Sequence, residues 1–205
     1  MSKNVSRRAF LQSSALTTAV TTLAGAAAVA TQTSAHTAAS KPREVGPEPT
    51  PVTFVINGSA STLMIEPRMT LAQVLRETAG LTGTKIACDR GACSACTVLL
   101  DGAPVNSCML LAVEAAGHEV TTIEGLASGE ELHPVQAAFI EHDALQCGYC
   151  TPGMVISCAA LLARVKDPTP EDVKAAISGH LCRCGTYPHV ITATVAAAKA
   201  RAEQS

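Results

Sequence analysis

The chain of 205 residues is long enough for one or two small domains with modest hydrophobic cores. Only 2% of its residues are aromatic and none is tryptophan, so aromatic packing cannot supply much of those cores. The formal charge is −2, and residues 1–35 carry three basic and no acidic side chains, which leaves −5 for the rest of the chain. This acidic balance argues against a nucleic-acid partner.

The first 35 residues have the composition of an export signal. Ser6-Arg7-Arg8 precedes a mildly apolar stretch, 13–30, that is rich in alanine and threonine and ends in small residues suited to cleavage. The pattern resembles a twin-arginine signal, with Gln12 where such signals often have lysine. A membrane anchor is the alternative, but the stretch has too little bulky apolar surface to span a bilayer stably. We therefore expect a signal peptide at 1–35 and no stable membrane span after its removal.

The segment after the signal changes character at Val52. Residues 36–51 contain four prolines and no apolar periodicity, which predicts an extended linker. Residues 52–56 and 61–65 then have the pattern of strands, and Asn57-Gly58 between them is typical of a hairpin turn. The folded part of the chain is therefore predicted to open with a β-hairpin.

A helix and further strands follow the hairpin. Thr70 is placed to cap a helix whose apolar residues have helical spacing, and Gly80 lies where this helix should end. Residues 96–100 and 120–123 have the pattern of strands, with Asp101-Gly102 as a turn. This order is compatible with the β-grasp fold of plant-type ferredoxins, although periodicity alone leaves other small α+β arrangements open.

Beyond residue 131 the pattern becomes helical. Thr151-Pro152 and Thr169-Pro170 each predict an N-cap followed by the first residue of a helix, and another helix is expected after Pro188. A helix that precedes these three has one face formed by Val135, Ala138, Phe139 and His142. The four helices make two helix–loop–helix units, which can pack as a four-helix bundle.

Eight of the nine cysteines fall into two spaced sets. The first is Cys88, Cys93, Cys96 and Cys108, and the second is Cys147, Cys150, Cys182 and Cys184. The first spacing is that of plant-type 2Fe-2S ferredoxins. The second set consists of two close pairs on the two helical units, and each pair can supply the two terminal ligands of one iron. In the first set, Gly91 and Ala92 are small enough to let backbone N–H groups turn toward the sulfurs.

Zinc and disulfide bonds are the alternatives for these cysteines. Four thiolates also make a structural zinc site, but neither spacing is typical of one. An exported protein ordinarily forms disulfides, whereas a twin-arginine signal implies export of a folded protein whose clusters were inserted in the reducing cytoplasm.

The ninth cysteine, Cys158, is expected to be a small buried hydrophobic residue. Both cysteine sets are complete, so the histidines are expected at the surface or at helix ends: His118, His133, His142, His180 and His189.

Three motifs in this order, 88–98, 146–153 and 182–187, resemble the small iron–sulfur subunit of the xanthine dehydrogenase and aldehyde oxidase family of molybdenum hydroxylases. The resemblance extends from about Val52 to Val195. One departure is Ser94, where many members have glycine. The resemblance implies an α+β chain: a β-grasp 2Fe-2S ferredoxin-like domain at 52–126, a connection at 127–134 and an all-α four-helix 2Fe-2S-binding domain at 135–205.

The resemblance also implies a function without substrate chemistry in this chain. A large partner subunit would hold the molybdopterin cofactor, and this chain would pass electrons through two 2Fe-2S clusters to an FAD-binding subunit, a cytochrome or a quinone-linked acceptor. The helical domain's cluster would lie nearer the pterin. Gln146 and Cys150 match family positions that contact or approach the pterin; an ordinary polar residue at a helix end is the alternative for Gln146.

The export signal and the family together resemble periplasmic aldehyde oxidoreductases, so we expect a periplasmic complex that oxidises aldehydes to carboxylic acids. Purine or N-heterocycle hydroxylation would use an equally similar small subunit. A free-standing 2Fe-2S electron carrier and a purely structural metal-stabilised adaptor belong to different functional classes. The second cluster, in a helical domain, argues against a simple carrier.

Overall fold

The computed structural model of the chain describes residues 46–203. The expected signal peptide and most of the expected linker lie outside the described residues. The described part falls within a single compact unit, Val45–Ser205.

A five-stranded mixed sheet forms the first layer of the fold. Its strands are β1 (Thr50–Ile56), β2 (Ser59–Ile65), β3 (Thr97–Leu100), β4 (Ala103–Asn106) and β5 (Glu119–Thr121). They lie in the order β2-β1-β5-β3-β4, with β1 and β5 parallel and the other pairs antiparallel. The predicted hairpin is confirmed: Asn57 and Gly58 form its turn with φ values of 50° and 75°. The strand begins at Thr50, two residues earlier than expected.

One short helix packs on the sheet. Helix α1 (Leu71–Gln73) continues as a π-helical turn, Val74–Thr78, and Gly80 ends it with φ 73°. The predicted cap is confirmed, because the hydroxyl of Thr70 accepts the backbone N–H of Gln73 and the Gln73 side chain accepts the N–H of Thr70. Apolar side chains of this helix and of the strands form a buried core that contains Phe54, Leu71, Val74, Leu75, Val98 and Val120.

Four helices form the second layer, and they confirm the predicted helix–loop–helix pairs. These are α2 (Pro134–Glu141), α3 (Thr151–Arg164), α4 (Pro170–Ala176) and α5 (Tyr187–Glu203). Each helix contacts neighbours in the bundle, and their shared core contains Val135, Phe139, Met154, Leu162, Val190 and Ala193. Thr169 caps α4 as predicted, since its hydroxyl accepts the N–H of Asp172.

Helix α3 joins the two layers. Its residues from Gly153 to Leu162 are all buried, because the helix packs against the other helices of the bundle and against β3. A helix that is apolar on every side needs such a central position. None of the helices within residues 46–203 combines the length and the apolarity needed to cross a membrane.

Two predicted helix starts differ from the structure by one or two residues. The N-cap of α3 is Cys150, not Thr151, because the backbone of Cys150 already has near-helical angles (φ −83°, ψ −13°) and Thr151 is the first helical residue. Helix α5 begins at Tyr187, before Pro188 and not after it. Proline fits the first turn of a helix, where its missing N–H would have no helical partner.

Candidate functional site

The first cysteine set lies around one loop between α1 and β3 and the 3-10 turn after β4. Two backbone N–H groups in this loop point at sulfur atoms, at N–S distances of 3.3 Å each: Gly91 donates to Cys108 and Ala92 to Cys88. This confirms the expectation that small residues let the loop turn its amides inward. Such amides favour negatively charged sulfur.

The first loop is held in place by side chains from both ends. Arg76, in the π-helical turn, donates to the carbonyls of Thr82 and Thr84 at 2.8 and 2.7 Å, just before the loop reaches its first cysteine. On the other side, the amide of Asn106 donates to the carbonyl of Gly91 at 3.2 Å. Hydrogen bonds from Arg76 and Asn106 therefore hold the loop in shape on both of its sides.

The thiols of this set approach one another in pairs. Hydrogen bonds from the backbone of Arg90 and the side chain of Cys93 lower the pKa of Cys88 to about 7. Burial raises the pKa of Cys108 to about 11, against a smaller lowering by the Gly91 N–H, and the neighbouring Cys96 raises it further. The contacts thus pair Cys88 with Cys93 and Cys108 with Cys96.

The second cysteine set lies on two loops at one end of the bundle. Cys147 and Cys150 lie between α2 and α3, while Cys182 and Cys184 lie between α4 and α5. Tyr187 supports the second of these loops: its hydroxyl accepts the N–H of Cys182 at 2.8 Å and donates to the carbonyl of His180 at 2.9 Å.

The two loops of the second set meet at Cys150 and Cys182. Burial raises the pKa of Cys150 to about 12, and the adjacent Cys182 side chain and the charge of Cys147 add to this rise. Burial also opposes ionisation of Cys182, but hydrogen bonds from the side chain and backbone of Thr186 outweigh it and lower that pKa to about 7. Cys184 follows two residues later and is half-buried.

The donor chemistry of both sets fits a 2Fe-2S cluster. A thiolate that is buried without a cation is unfavourable, and the raised pKa values of Cys108 and Cys150 express this cost. Metal binding removes the thiol protons and neutralises the charge, which links cluster insertion to folding. In residues 46–203 no three Cys, His, Asp or Glu side chains converge as they would around a single ion. In the first set the thiols approach in pairs, as expected where each of two irons takes two terminal sulfurs. In the second set the contact joins Cys150 of one loop to Cys182 of the other, and not the two cysteines of one loop.

The two cysteine loops touch each other directly. The N–H of Leu181, the residue before Cys182, donates to the carbonyl of Cys93 at 3.2 Å. This backbone hydrogen bond connects a segment of the second set with a cysteine of the first. Neither the spacing of the cysteines nor the periodicity of the chain indicated it.

The remaining expected site residues have distinct surroundings. Gln146 and Cys147 are exposed on the turn after α2, and Cys150 is buried. Cys158 is completely buried in the helical core, which confirms its expected role as a small hydrophobic residue. Burial raises the pKa of its thiol to about 11.

His180 does not follow the expectation for the histidines. It is only 4% exposed, and its Nε2 lies 2.7 Å from the hydroxyl of Ser157, while Nδ1 has no partner among the described residues. Burial lowers the pKa of His180 to about 4, so the ring is neutral at pH 7. The expectation is met at the helix ends, where His133 caps the start of α2 and His142 its end. His118 is exposed and pairs with Asp101.

Sequence reasoning missed the roles of two tyrosines. The hydroxyl of Tyr149 donates to the carbonyl of Ile86 at 2.7 Å, across a sequence separation of 63 residues, and Tyr187 supports Cys182 as described above. A signal was present in the composition, because both tyrosines of a chain with so few aromatic residues stand beside cysteine motifs.

Comparison with known families and proteins agrees with this geometry. Residues 54–122 match the 2Fe-2S iron-sulfur cluster binding domain family, and residues 122–195 match the 2Fe-2S binding domain family. The aldehyde oxidoreductase iron-sulfur-binding subunit PaoA of Escherichia coli K12 is 44% identical over 162 residues, which cover 72% of this chain and 71% of PaoA. The chain belongs to the family of iron–sulfur subunits of molybdenum hydroxylases.

Other members of this iron–sulfur subunit family differ in their named reactions. The nicotine 6-hydroxylase small subunit of Paenarthrobacter nicotinovorans is 45% identical over 140 residues, covering 68% of this chain and 84% of that one. Among solved structures, quinoline 2-oxidoreductase from Pseudomonas putida 86 matches with a TM-score of 0.73 and 45% identity, covering 76% of this chain and 98% of that chain. The chain is thus a subunit of an oxidoreductase with two 2Fe-2S-binding domains.

Proposed function

We propose that the chain transfers electrons within a molybdenum-dependent hydroxylase complex, and that eight cysteines hold its two 2Fe-2S clusters. Each cluster, when bound, accepts and releases one electron. The first would be held by Cys88, Cys93, Cys96 and Cys108, and the second by Cys147, Cys150, Cys182 and Cys184. The observation that carries this proposal is the hydrogen bond between Leu181 and Cys93, because it connects the two cysteine loops by a short path of bonds.

The proposed direction of transfer rests on the resemblance of Gln146 and Cys150 to positions near the pterin in the family. The exposure of Gln146 and Cys147 supports it, because both are open to a partner surface, whereas Cys150 is buried. We assign this end of the bundle to the large subunit that carries the molybdopterin cofactor, with Gln146 and Cys150 nearest to it. The first set would then deliver electrons to an FAD-binding subunit, a cytochrome or another acceptor.

Aldehydes are the proposed substrates of the complex, and carboxylic acids its products. The similarity to the aldehyde oxidoreductase subunit PaoA supports this assignment. N-heterocycles are the second candidate class, because the nicotine 6-hydroxylase and quinoline 2-oxidoreductase subunits are as similar to this chain.

The proposed organisation retains a twin-arginine signal at 1–35 and a linker at 36–51. The ferredoxin-like domain at 52–126 and the helical domain at 135–205 would then be joined by 127–134. Export in the folded state through the twin-arginine pathway would bring the loaded subunit to the periplasm.

Purification of the native complex tests the assignment of partners and substrate. We expect the chain to co-purify with a molybdenum-containing subunit, and aldehydes to reduce both clusters in the presence of that subunit. If N-heterocycles reduced the clusters and aldehydes did not, N-heterocycles would be the substrate class in place of aldehydes. A chain that purifies alone, with no molybdenum protein, would contradict the subunit assignment.

Substitution of single cysteines tests the ligand assignment. Cys182→Ser is expected to remove the paramagnetic resonance signal of one reduced cluster and to leave the other, because it deletes one thiolate of the second set only. Cys158→Ala is the matched control, since Cys158 belongs to neither set, lies eight residues beyond Cys150 in the helical core, and should leave both signals when replaced. Two intact signals in the Cys182→Ser protein would show that the grouping of the cysteines is wrong.

A further inference from the structure

The two cysteine loops meet along a seam, which we define by three contacts. Leu181 donates its N–H to the carbonyl of Cys93. Gly153, in the first turn of α3, lies so close to the carbonyl of Ser94 that a Cβ atom would collide with it. The third contact is the hydrogen bond between the hydroxyl of Tyr149 and the carbonyl of Ile86, at 2.7 Å.

The seam contact of Tyr149 connects a residue inside the second cysteine set with a residue just before the first set. Tyr149 stands between Cys147 and Cys150, and its acceptor Ile86 lies two residues before Cys88. Tyr149 is 48% exposed, so packing around its side chain does not by itself hold the hydroxyl at the seam. One exposed side chain therefore spans both loops.

The turn that contains Tyr149 has little packing of its own. Leu145, Gln146 and Cys147 are exposed, and Gly148 reverses the chain with φ 79°. Exposed turns of this kind open locally more readily than the buried helices beside them. Besides the cluster that Cys147 and Cys150 would bind, the hydrogen bond from Tyr149 to the neighbouring loop therefore helps to fix the orientation of this turn.

Conduction of electrons through the phenol ring does not explain the contact. The bonded route from Cys150 through Tyr149 and Ile86 to Cys88 includes the whole aromatic ring and all of Ala87. The route from Cys182 through Leu181 to Cys93 needs only two adjacent residues and one hydrogen bond. The shorter route dominates any coupling through bonds, so Tyr149 acts on the geometry of the loops.

We propose that Tyr149 is a positioning residue for electron transfer between the two clusters. Its hydroxyl, bonded to the Ile86 carbonyl, holds the Cys147–Cys150 turn against the loop that begins before Cys88. Because Cys182, the residue after Leu181, packs against the core that contains Cys150, the same bond keeps the Leu181 contact closed. The electron-transfer part of this assignment rests on the proposed function, whereas the closing of the seam does not.

The test uses Tyr149→Phe in the full chain, purified with its partner subunits. The ring remains and only the hydroxyl is lost, so the variant is expected to fold. Loss of one such hydrogen bond changes an opening equilibrium about fivefold. We expect amide hydrogen exchange in a peptide that contains Leu181 to become about fivefold faster, and the magnetic interaction between the two reduced clusters to weaken.

Thr62→Val is the matched control. It likewise removes one hydrogen bond of an exposed hydroxyl, here to the Thr53 hydroxyl at 2.9 Å, but on the β1–β2 hairpin. The control should leave Leu181 exchange and the magnetic interaction unchanged. Unchanged Leu181 exchange in Tyr149→Phe, an equal rise in the hairpin peptides, or an unaltered magnetic interaction would each overturn the proposal. Failure of the proposed function would appear differently, as the absence of two cluster signals in the unaltered complex.

Discussion

At the residue scale, Ser94 and Gly153 form an unusual pair. Ser94 has φ 54°, a left-handed angle that favours glycine, which agrees with the glycine expected at this position in many relatives. Its carbonyl accepts both the N–H and the hydroxyl of Thr97, at 3.2 and 2.7 Å. These bonds hold the strained turn, and Gly153 provides the space that the carbonyl needs.

Gly153→Ala is expected to destabilise the protein by about 2 kcal/mol. The added Cβ would press on the backbone carbonyl of Ser94, which cannot rotate away, and such overpacking costs roughly 1–3 kcal/mol. Alanine favours a helix over glycine by at most about 1 kcal/mol, so the collision outweighs the gain. Heating while following the visible absorption of the clusters should show a melting temperature lower by about 4–8 °C.

Gly46→Ala is the control for this substitution. A Cβ at Gly46 would meet no atom within 4 Å, so the melting temperature should stay within about 2 °C of the original. Equal melting temperatures for the Gly153 and Gly46 variants would contradict the close approach of α3 to the cysteine loop.

At the scale of an element, the start of helix α2 depends on a neutral histidine. Nδ1 of His133 accepts the backbone N–H of Val135 at 3.2 Å, and the side chain of Gln136 accepts the N–H of His133 in return. Burial lowers the pKa of His133, and the positive charge of Arg201 lowers it further. The neutral ring is therefore favoured in the folded state and can serve as a hydrogen-bond acceptor.

The stability of the protein should fall as the pH drops below about 6.5, the ordinary pKa of histidine. Below that pH the unfolded chain binds a proton at His133 more readily than the folded chain, because the folded pKa is the lower one. The contribution of His133 to the free energy of unfolding is complete above pH 6.5 and declines as the pH falls toward the lower pKa of the folded state. Denaturant unfolding at pH 7 and pH 5 measures this contribution, which we expect to be about 1 kcal/mol, the usual value of an N-cap.

His133→Asn supplies the comparison, since asparagine also caps helices but does not titrate. The variant should lose about 1 kcal/mol less stability than the original protein between pH 7 and pH 5. Identical losses in the two proteins would mean that His133 does not contribute to the pH dependence.

At the scale of the whole molecule, the proposed export signal sets where the clusters must be inserted. Arg7 and Arg8 are the residues on which the resemblance to a twin-arginine signal depends. Replacing both with lysine is expected to keep the chain, with its clusters, in the cytoplasm. Cell fractionation followed by iron analysis measures this outcome.

The matched control for export is Lys3→Arg, which alters a nearby basic residue outside the paired arginines. It should leave the distribution of the protein unchanged. Continued export of the double lysine variant would contradict the assigned pathway and would reopen the question of disulfides for the exported cysteines.

Much of the fold followed from local patterns. The hairpin at Asn57-Gly58, the cap at Thr70 and the cap at Thr169 were predictable because each depends on residues no more than a few positions apart. Errors at element boundaries were small shifts, as at β1, which begins two residues early, and at Cys150, where the cysteine turn extends the helix by one residue.

The order of elements and the two cysteine sets could be predicted from the chain alone, because spacing, turn residues and helix caps are local properties. How the two sets approach each other depends on tertiary packing. The contacts of Leu181 with Cys93 and of Tyr149 with Ile86 join residues far apart in the chain, and the buried ring of His180 forms a hydrogen bond with Ser157 of α3. Such contacts arise from the packing of α3 between the bundle and the sheet, which no local pattern in the sequence encodes.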